Sequence, residues 1–328
     1  MRETLIERTA KLADDFHAEA ESDPAVPVLT SHVSLKRLIM LVNPLSGSVG
    51  SQAVDEAKTI LAGYDCESSV VELTHEDFDT RVDAALKAAP DVLIVLAGDG
   101  TAGTIASRAG PDGPLIAPLP GGTMNMLPRA LYDTADWKLA LRLALETGTA
   151  QGVAGGEISD ADGQHTFYCA AILGSAALWA PAREAVRTGQ VKLAWVYARR
   201  ALRRAFTGRL RYRLDGVAGR QTEALVLISP TISRAVGEDA GLEAAAMNPA
   251  DAGQAIRLAA HALFKGWRQD PSVRTTATRS ADVRARSRIP AVIDGEPTLL
   301  RHEATIRFIP QAFRALAPQR PVTTGDAA

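Results

Sequence analysis

The pattern that most constrains this chain is an alternation of short apolar strands and helices between residues 35 and 145. Strands are predicted at 38–42, 70–73, 92–96 and 115–117, and helical spacing follows at 52–61, at 81–88 and from Thr101. A strand without a polar face must be covered on both sides, and short connections through helices make neighbouring strands parallel. The pattern therefore predicts an α/β doubly wound parallel sheet with helices on both faces.

The second half of the chain has a different pattern, in which short strands bounded by Gly, Pro, Asp or Ser dominate. Strands are predicted at 155–158, 166–171, 210–214, 224–229, 273–278, 282–286, 291–293 and 304–309, and helices at 190–206 and 249–266. This predicts a second, mostly antiparallel β domain.

These patterns divide the chain into segments. We expect an N-terminal helical extension and linker (1–34), the α/β domain (35–148), the β-rich domain (149–309) and a flexible tail (319–328). Residues 310–318 are expected to pack back on the first domain. The 328 residues are enough for two cores, since single cores stop growing at roughly 250–300 residues.

Charge and cysteine usage exclude several classes of function. The net charge of −2 excludes a broadly basic nucleic-acid binder. The two cysteines, Cys66 and Cys169, lie far apart in sequence, which argues against a zinc site and fits a reducing cytosol. No apolar run approaches the roughly 20 residues that span a bilayer, and the N-terminus lacks a signal-peptide core. We therefore expect a cytoplasmic protein.

Three loops follow strands of the first domain and combine glycine with small polar side chains. They are the first loop (residues 43–47), the second loop (98–101) and the third loop (121–125). In an open parallel sheet, ligands bind at the carboxyl ends of the strands. Glycine lets the backbone approach a phosphate, and N–H groups at a helix start then hold the anion. One such loop is commonly a turn with a helix cap, but three at one edge predict a phosphate site.

The second loop also matches a dinucleotide fingerprint, G-x-G-x-x-G, at residues 98–103. That fingerprint belongs after the first strand of its unit and needs an acid roughly 20 residues later. Here it follows the third strand, and the acid is missing near Thr123. Asp99 inside the loop would repel a pyrophosphate unless a cation intervenes, so a magnesium nucleotide fits better than NAD.

Four motifs together resemble the diacylglycerol kinase-like family of lipid kinases. N-P-L-S-G at 43–47 resembles the family's N-P-x-S-G, A-G-D-G-T at 97–101 its G-G-D-G-T, P-G-G-T-M-N at 120–125 its P-x-G-T-x-N, and D-G-E at 294–296 its D-G-E element. The match spans residues 37–318 in order and spacing. G-D-G-T alone is shared with NAD kinases and phosphofructokinases, whereas the four elements together are typical of the lipid-kinase branch.

The resemblance implies a role for each matching residue. It implies that ATP is bound by Asn43, Ser46, Gly98, Gly100, Thr101, Thr123 and Asn125, with help from Glu296. Asp99 would organise Mg2+ and the phosphates, and Asp294 would be the general base on a lipid hydroxyl. The active site would then lie in the cleft between the two domains. The family's structural magnesium segment, D-G-x-L-D, is matched here by residues 239–243, with acids at Asp239 and Glu243.

Two positions depart from the family pattern. Ala97 replaces the first glycine of G-G-D-G-T, which is a mild change if its φ is negative. Met126 stands where many relatives have an aspartate after the third loop. These departures leave a catalytically weak nucleotide- or lipid-binding protein as one alternative. A nucleotide-cofactor kinase that resembles NAD kinases is a second alternative, because it shares the G-D-G-T motif.

Asp294 has two interpretations, a turn residue and a catalytic base. Residues 291–297 form a good hairpin, and Asp-Gly is a favoured two-residue turn. The local sequence favours a turn residue, and only the resemblance over the whole chain favours a catalytic base.

Contact with a membrane is predicted from a basic segment. Residues 183–213 contain ten basic residues and one acid, Glu184, and Arg199, Arg200, Arg203 and Arg204 share one face of a predicted helix. Such a helix can lie on anionic lipid, although a solvated basic face on a core helix is an equal alternative. The predicted partners are a lipid substrate and an anionic membrane, with a homodimer left open.

Overall fold

The computed structural model of the chain describes residues 35–179, 209–219, 221–233, 241–247 and 273–319. Its helices are α1 (Ala53–Leu61), α2 (Phe78–Lys87), α3 (Asp99–Ala109), α4 (Met126–Tyr132) and α5 (Trp137–Thr147). The first four strands are β1 (Arg37–Val42), β2 (Glu67–Glu72), β3 (Val92–Ala97) and β4 (Leu115–Pro120). Further along are β5 (Gly148–Asp160), β6 (Gly163–Phe167), β7 (Ala170–Gly174), β8 (Arg211–Leu214), β9 (Val217–Ala218) and β10 (Ala224–Ile228). The last strands are β11 (Leu242–Met247), β12 (Val273–Thr278), β13 (Ser280–Arg284), β14 (Ile289–Ile293), β15 (Glu296–Leu300) and β16 (Glu303–Pro318).

The N-terminal half is a parallel sheet in the order β2-β1-β3-β4. Every residue of β3 and β4 is buried, as their continuous apolar sequences require, and all five helices contribute side chains to the core around them. The chain leaves β1 toward β2 on one side and returns to β3 on the other. The loops after β1 and β3 therefore open at a switch point, where open α/β sheets bind their ligands.

Strands β5 and β16 connect this parallel sheet to the second half of the molecule. They pair antiparallel along nearly their whole length, with one irregularity in β16 between Ile309 and Phe313. The C-terminal part of β16 also pairs parallel with β4, through Ala315 and Ile116, and its N-terminal part pairs with β13. Ten described strands thus share one sheet that is parallel at one end and antiparallel at the other.

A separate six-stranded antiparallel sheet packs against the antiparallel end. Its order is β12-β11-β10-β7-β14-β15. The core between the sheets contains Phe167 of β6, Leu225 and Leu227 of β10 and Ile306 of β16. Alternate residues of each strand supply this core, which is the arrangement of a β-sandwich. The predicted fold class, a parallel α/β half followed by an antiparallel β half, is confirmed.

Several element boundaries differ from the sequence predictions. The predicted strand at 166–171 is wrong, because β6 ends at Phe167 and β7 begins at Ala170. The alanine-rich strand β11 was not predicted, and α2 begins three residues before Arg81. The helices predicted at 190–206 and 249–266 lie outside the described residues.

The position of β16 generates a test of the fold. Truncation after Ile309 removes Phe313 and Leu316, both fully buried, and exposes the edge of β4. Since each such side chain contributes roughly 2–5 kcal/mol and whole domains are stable by about 5–15 kcal/mol, we expect no cooperative thermal transition. Truncation after Pro318 is the control, and its melting temperature should match that of the full chain. A folded protein ending at Ile309 would contradict this account of β16.

Candidate active site

The first and second loops are joined by a side-chain hydrogen bond. The N–H of Gly98 donates to Oγ of Ser46 at 3.2 Å, so the end of β3 lies beside the N-P-L-S-G turn. That turn is ordered from within, because Oδ1 of Asn43 accepts a hydrogen bond from the N–H of Leu45 at 3.1 Å. The Ser46 and Asn43 side chains therefore shape the loop backbone that would face a phosphate.

The third loop approaches the second more closely than any side chain would allow. A methyl group placed on Gly122 would lie 2.7 Å from Cα of Gly98, so glycine is required for the contact. The buried side chain of Asn125 holds the loop, since its Oδ1 accepts from the N–H of Gly122 at 2.7 Å and its Nδ2 donates to the Gly122 carbonyl at 2.9 Å. Asn125 itself has a positive φ of 50°, which the asparagine side chain tolerates.

Asp99 lies between these loops as the first residue of α3. Its atom Oδ1 is buried and has no hydrogen-bond partner among the residues that the structure describes. Burial raises the pKa of Asp99, although the N–H groups of Met126, Asn125 and Leu127 and the charge of Arg129 oppose that shift. A buried carboxylate oxygen without a partner is costly unless something positive meets it.

The Asp-Gly-Glu turn (residues 294–296) reaches this site from the six-stranded sheet. Asp294 and Gly295 connect β14 to β15 with φ values of 45° and 92°, the signature of a type I′ hairpin turn, so the predicted hairpin is confirmed. A methyl group on Gly100 would lie 2.5 Å from Oε1 of Glu296, and one on Gly295 would lie 3.4 Å from Sδ of Met124. The turn therefore contacts both the second and the third loop.

The carboxylate of Asp294 is held by backbone N–H groups at the break between β6 and β7. Its Oδ2 accepts from Tyr168 at 2.7 Å, and its Oδ1 accepts from Cys169 at 2.9 Å and from Ala170 at 2.8 Å. The N–H of Asp294 in turn donates to the Ala170 carbonyl at 2.9 Å. Asp294 is thus both the turn residue that its local sequence predicted and a carboxylate fixed in one orientation.

The charge of Asp99 acts on Asp294. Burial raises the pKa of Asp294 against the three N–H bonds that lower it, and the negative charge of Asp99 raises it further. Burial also raises the pKa of the Cys169 thiol well above its usual value, with added contributions from Asp294 and then Asp99. Both carboxylates therefore belong to one electrostatic site.

The other predicted residues are distributed as follows. Thr101 is half-buried on α3, and Oγ1 of the exposed Thr123 would lie 3.3 Å from a methyl group on Gly47. Ala97 ends β3 with a negative φ, the condition for a mild replacement of glycine. Glu243 is buried on β11 and accepts a hydrogen bond from Oγ of Ser233. Asp239 lies outside the described residues, so a magnesium site at Asp239 and Glu243 stays a prediction.

The sequence did not identify the N–H groups of residues 168–170 as part of the site. They belong to a strand break between Phe167 and Ala170 that contains neither glycine nor proline. Backbone N–H groups leave no mark in a sequence, and the β-branched and aromatic residues on either side resemble an uninterrupted strand.

The geometry fits a magnesium nucleotide. Gly98 and Gly122 lie in contact at the start of α3. The first N–H groups of a helix have no intrahelical partner, so this helix start can meet phosphate. The partnerless oxygen of Asp99 has the hard, anionic character that Mg2+ prefers. Asn43, Ser46, Gly98, Gly100, Thr101 and Thr123 lie in or beside these loops, while Asn125 uses its side-chain amide on Gly122.

Comparisons with known proteins agree with this geometry. Residues 37–155 match the diacylglycerol kinase catalytic domain family. A solved structure of a diacylglycerol kinase from Bacillus anthracis strain Sterne has a TM-score of 0.61 at 14% identity, covering 87% of this chain and 98% of that one. Two further structures from that strain, of proteins assigned the same name provisionally, have TM-scores of 0.65 and 0.66 at 16% and 18% identity with the same coverage.

At these identities the structural likeness establishes the fold. A comparison with curated proteins found no match. The family match covers the segment that holds all three loops. The structural likeness covers 87% of the chain. The resemblance to the diacylglycerol kinase-like family is therefore confirmed, since residues 37–155 match the model of that family's catalytic domain.

Proposed function

We propose that this chain transfers the γ-phosphate of ATP to the hydroxyl group of a lipid, either a diacylglycerol-like or a sphingoid lipid. The observation that carries the proposal is the position of the Asp-Gly-Glu turn. It belongs to the six-stranded sheet, yet it contacts the second and third loops of the parallel sheet. This position supports the proposal, because phosphoryl transfer to an alcohol needs phosphates that are held in place and a carboxylate that can orient the acceptor hydroxyl.

The loops would hold the nucleotide through backbone more than through side chains. Phosphoryl transfer needs aligned phosphates and a neutralised charge, with little covalent participation by the protein. Bound Mg2+-ATP would supply the phosphoryl group and the counter-charge. Asp99 would meet the cation with its buried oxygen, the start of α3 would meet phosphate oxygens, and Glu296 would close the site beside Gly100.

Asp294 retains the capacity to accept one proton from the acceptor hydroxyl. A carboxylate has about four lone-pair sites, and the three N–H bonds leave one of them on Oδ2. The same bonds fix its direction, so the hydroxyl meets a base that needs no reorientation. Because burial and Asp99 raise the pKa of Asp294, turnover should fall with decreasing pH above the range in which an ordinary aspartate titrates.

Access to a lipid requires contact with a bilayer surface. Among the described residues no helix is long and apolar enough to span a membrane. The basic residues Arg199, Arg200, Arg203 and Arg204 lie outside those residues, so peripheral membrane contact and a homodimer stay predictions.

The function is tested by incubating the purified chain with labelled Mg2+-ATP and mixed micelles of diacylglycerol, sphingosine, ceramide or glycerol alone, with NAD as a further acceptor. We expect label in one lipid product, none in glycerol and none in NAD. Transfer to NAD would instead support a cofactor kinase. ATP binding without transfer to any acceptor would support a nucleotide-binding protein, and either result would contradict the proposal.

Asp99→Asn should reduce transfer by at least about 100-fold, because the neutral amide no longer balances the cation that positions the phosphates. The melting temperature should stay the same or rise, since burial opposes the charge that is removed. The control is Asp55→Asn on the exposed surface of α1, which should match the wild type in both respects. Transfer within a few-fold of wild type by Asp99→Asn would remove Asp99 from the mechanism.

Asp294→Asn should lower the rate of lipid phosphorylation by about 10²–10⁴ while the Kd for ATP stays nearly constant, because a positioned base is lost and the loops are untouched. Asp215→Asn is a closely matched control. Asp215 also begins an Asp-Gly turn with positive φ, and its carboxylate also accepts backbone N–H groups, those of Arg279 and Ser280, away from the loops. Equal rates for both variants would leave Asp294 as a turn residue alone.

A further inference from the structure

Tyr168 contacts both the carboxylate of Asp294 and helix α3, which begins with Asp99. Its N–H donates to Oδ2 of Asp294 at 2.7 Å, which makes it part of the cradle at the strand break. Its side chain is buried and points away from that break toward the core of the parallel half. Ala170, another residue of the cradle, faces the opposite surface of the six-stranded sheet.

The ring of Tyr168 fills the space between helix α3 and strand β5. A methyl group on Gly103 would lie 3.5 Å from ring atom Cε2 and 3.7 Å from Cδ2. On the opposite edge of the ring, a methyl group on Gly155 would lie 3.3 Å from Cδ1. Phe313 of β16 packs edge-on, with ring centroids 5.1 Å apart and planes at 89°. The ring therefore contacts separate elements on three sides and cannot shift without moving one of them.

Gly103 lies four residues after Asp99 in α3, so both residues share one face of the helix. The Tyr168 ring consequently packs one turn beyond the carboxylate that would organise the magnesium, on the same face. The backbone N–H of Tyr168 binds Asp294, the carboxylate that would accept the proton. An aromatic ring has only two side-chain torsions, and here contacts on three sides fix both.

We propose that Tyr168 is a positioning residue that sets the separation between Asp99 and Asp294. This inference rests on the proposed function, since it gives the two carboxylates their roles. A displacement of about 1 Å between reacting groups can reduce a rate by about 100-fold. The aromatic ring, and not its hydroxyl group, is the spacer, so phenylalanine should replace it and an aliphatic side chain should not.

The test compares three single variants in the full chain. Tyr168→Leu keeps the N–H that binds Asp294 and removes the ring, and we expect kcat for lipid phosphorylation to fall by about 10-fold or more while the KM for ATP stays within about twofold. Tyr168→Phe should restore kcat to within about threefold of wild type. Phe167→Leu is the control, because Phe167 is the neighbouring residue and equally buried, but its ring packs in the core between the sheets. It should lower the melting temperature without lowering kcat.

A second readout separates this inference from the proposed function. Amide hydrogen exchange in the segments 99–103 and 168–170 should accelerate together in Tyr168→Leu and stay at the wild-type rate in Phe167→Leu, whether or not any lipid is phosphorylated. In the Asp294→Asn background, Tyr168→Leu should add no further loss of kcat, since a residue that acts through Asp294 has no partner left there.

Equal loss of kcat in Tyr168→Leu and Phe167→Leu, or unchanged exchange in Tyr168→Leu, overturns the positioning role. If the wild-type chain phosphorylates no lipid but exchange still accelerates in both segments of Tyr168→Leu, the proposed function is refuted and the positioning role of Tyr168 is supported.

Discussion

The site depends on the three backbone hydrogen bonds that residues 168–170 donate to the Asp294 carboxylate. A two-residue hairpin turn on a sheet edge is ordinarily free to twist, and a buried carboxylate without partners would take up a proton. Here the ends of two strands converge on its two oxygens. Those N–H groups are free because β6 ends at Phe167 and β7 begins at Ala170, so the strand break supplies the donors that the charge requires.

A second constraint is the contact between the second and third loops. Gly98 and Gly122 meet backbone to backbone, at a separation that excludes any Cβ on Gly122. This contact brings the end of β3 against the end of β4, and Ser46 adds the end of β1. Three strand ends then form one surface of bare backbone, with Asp99 as its carboxylate. The parallel half builds this surface, and the antiparallel half supplies the turn that faces it.

The parts of this arrangement that the sequence predicted are local. Continuous apolar strands, glycine-rich loops and an Asp-Gly hairpin each follow from the conformational preferences of their own residues, and all three were recovered. The break at Tyr168 and Cys169 was not, because its residues favour a strand and the cause of the break is Asp294, more than 120 residues later. Strand β11 was missed for a related reason, since the alanines at 244–246 favour a helix unless a sheet covers them. The convergence of the Asp-Gly-Glu turn on Gly100 is likewise a product of tertiary packing.

The central claim is that loops of one sheet and a turn of another form a single nucleotide-dependent site. Hydrogen exchange with and without a non-hydrolysable Mg2+-ATP analogue tests it most directly, because it needs no knowledge of the lipid. The account predicts slower exchange in the three loops together with the segments 168–170 and 294–296, and no change in the distant hairpin around Asp215. Protection confined to the loops, or absent from them, would contradict it.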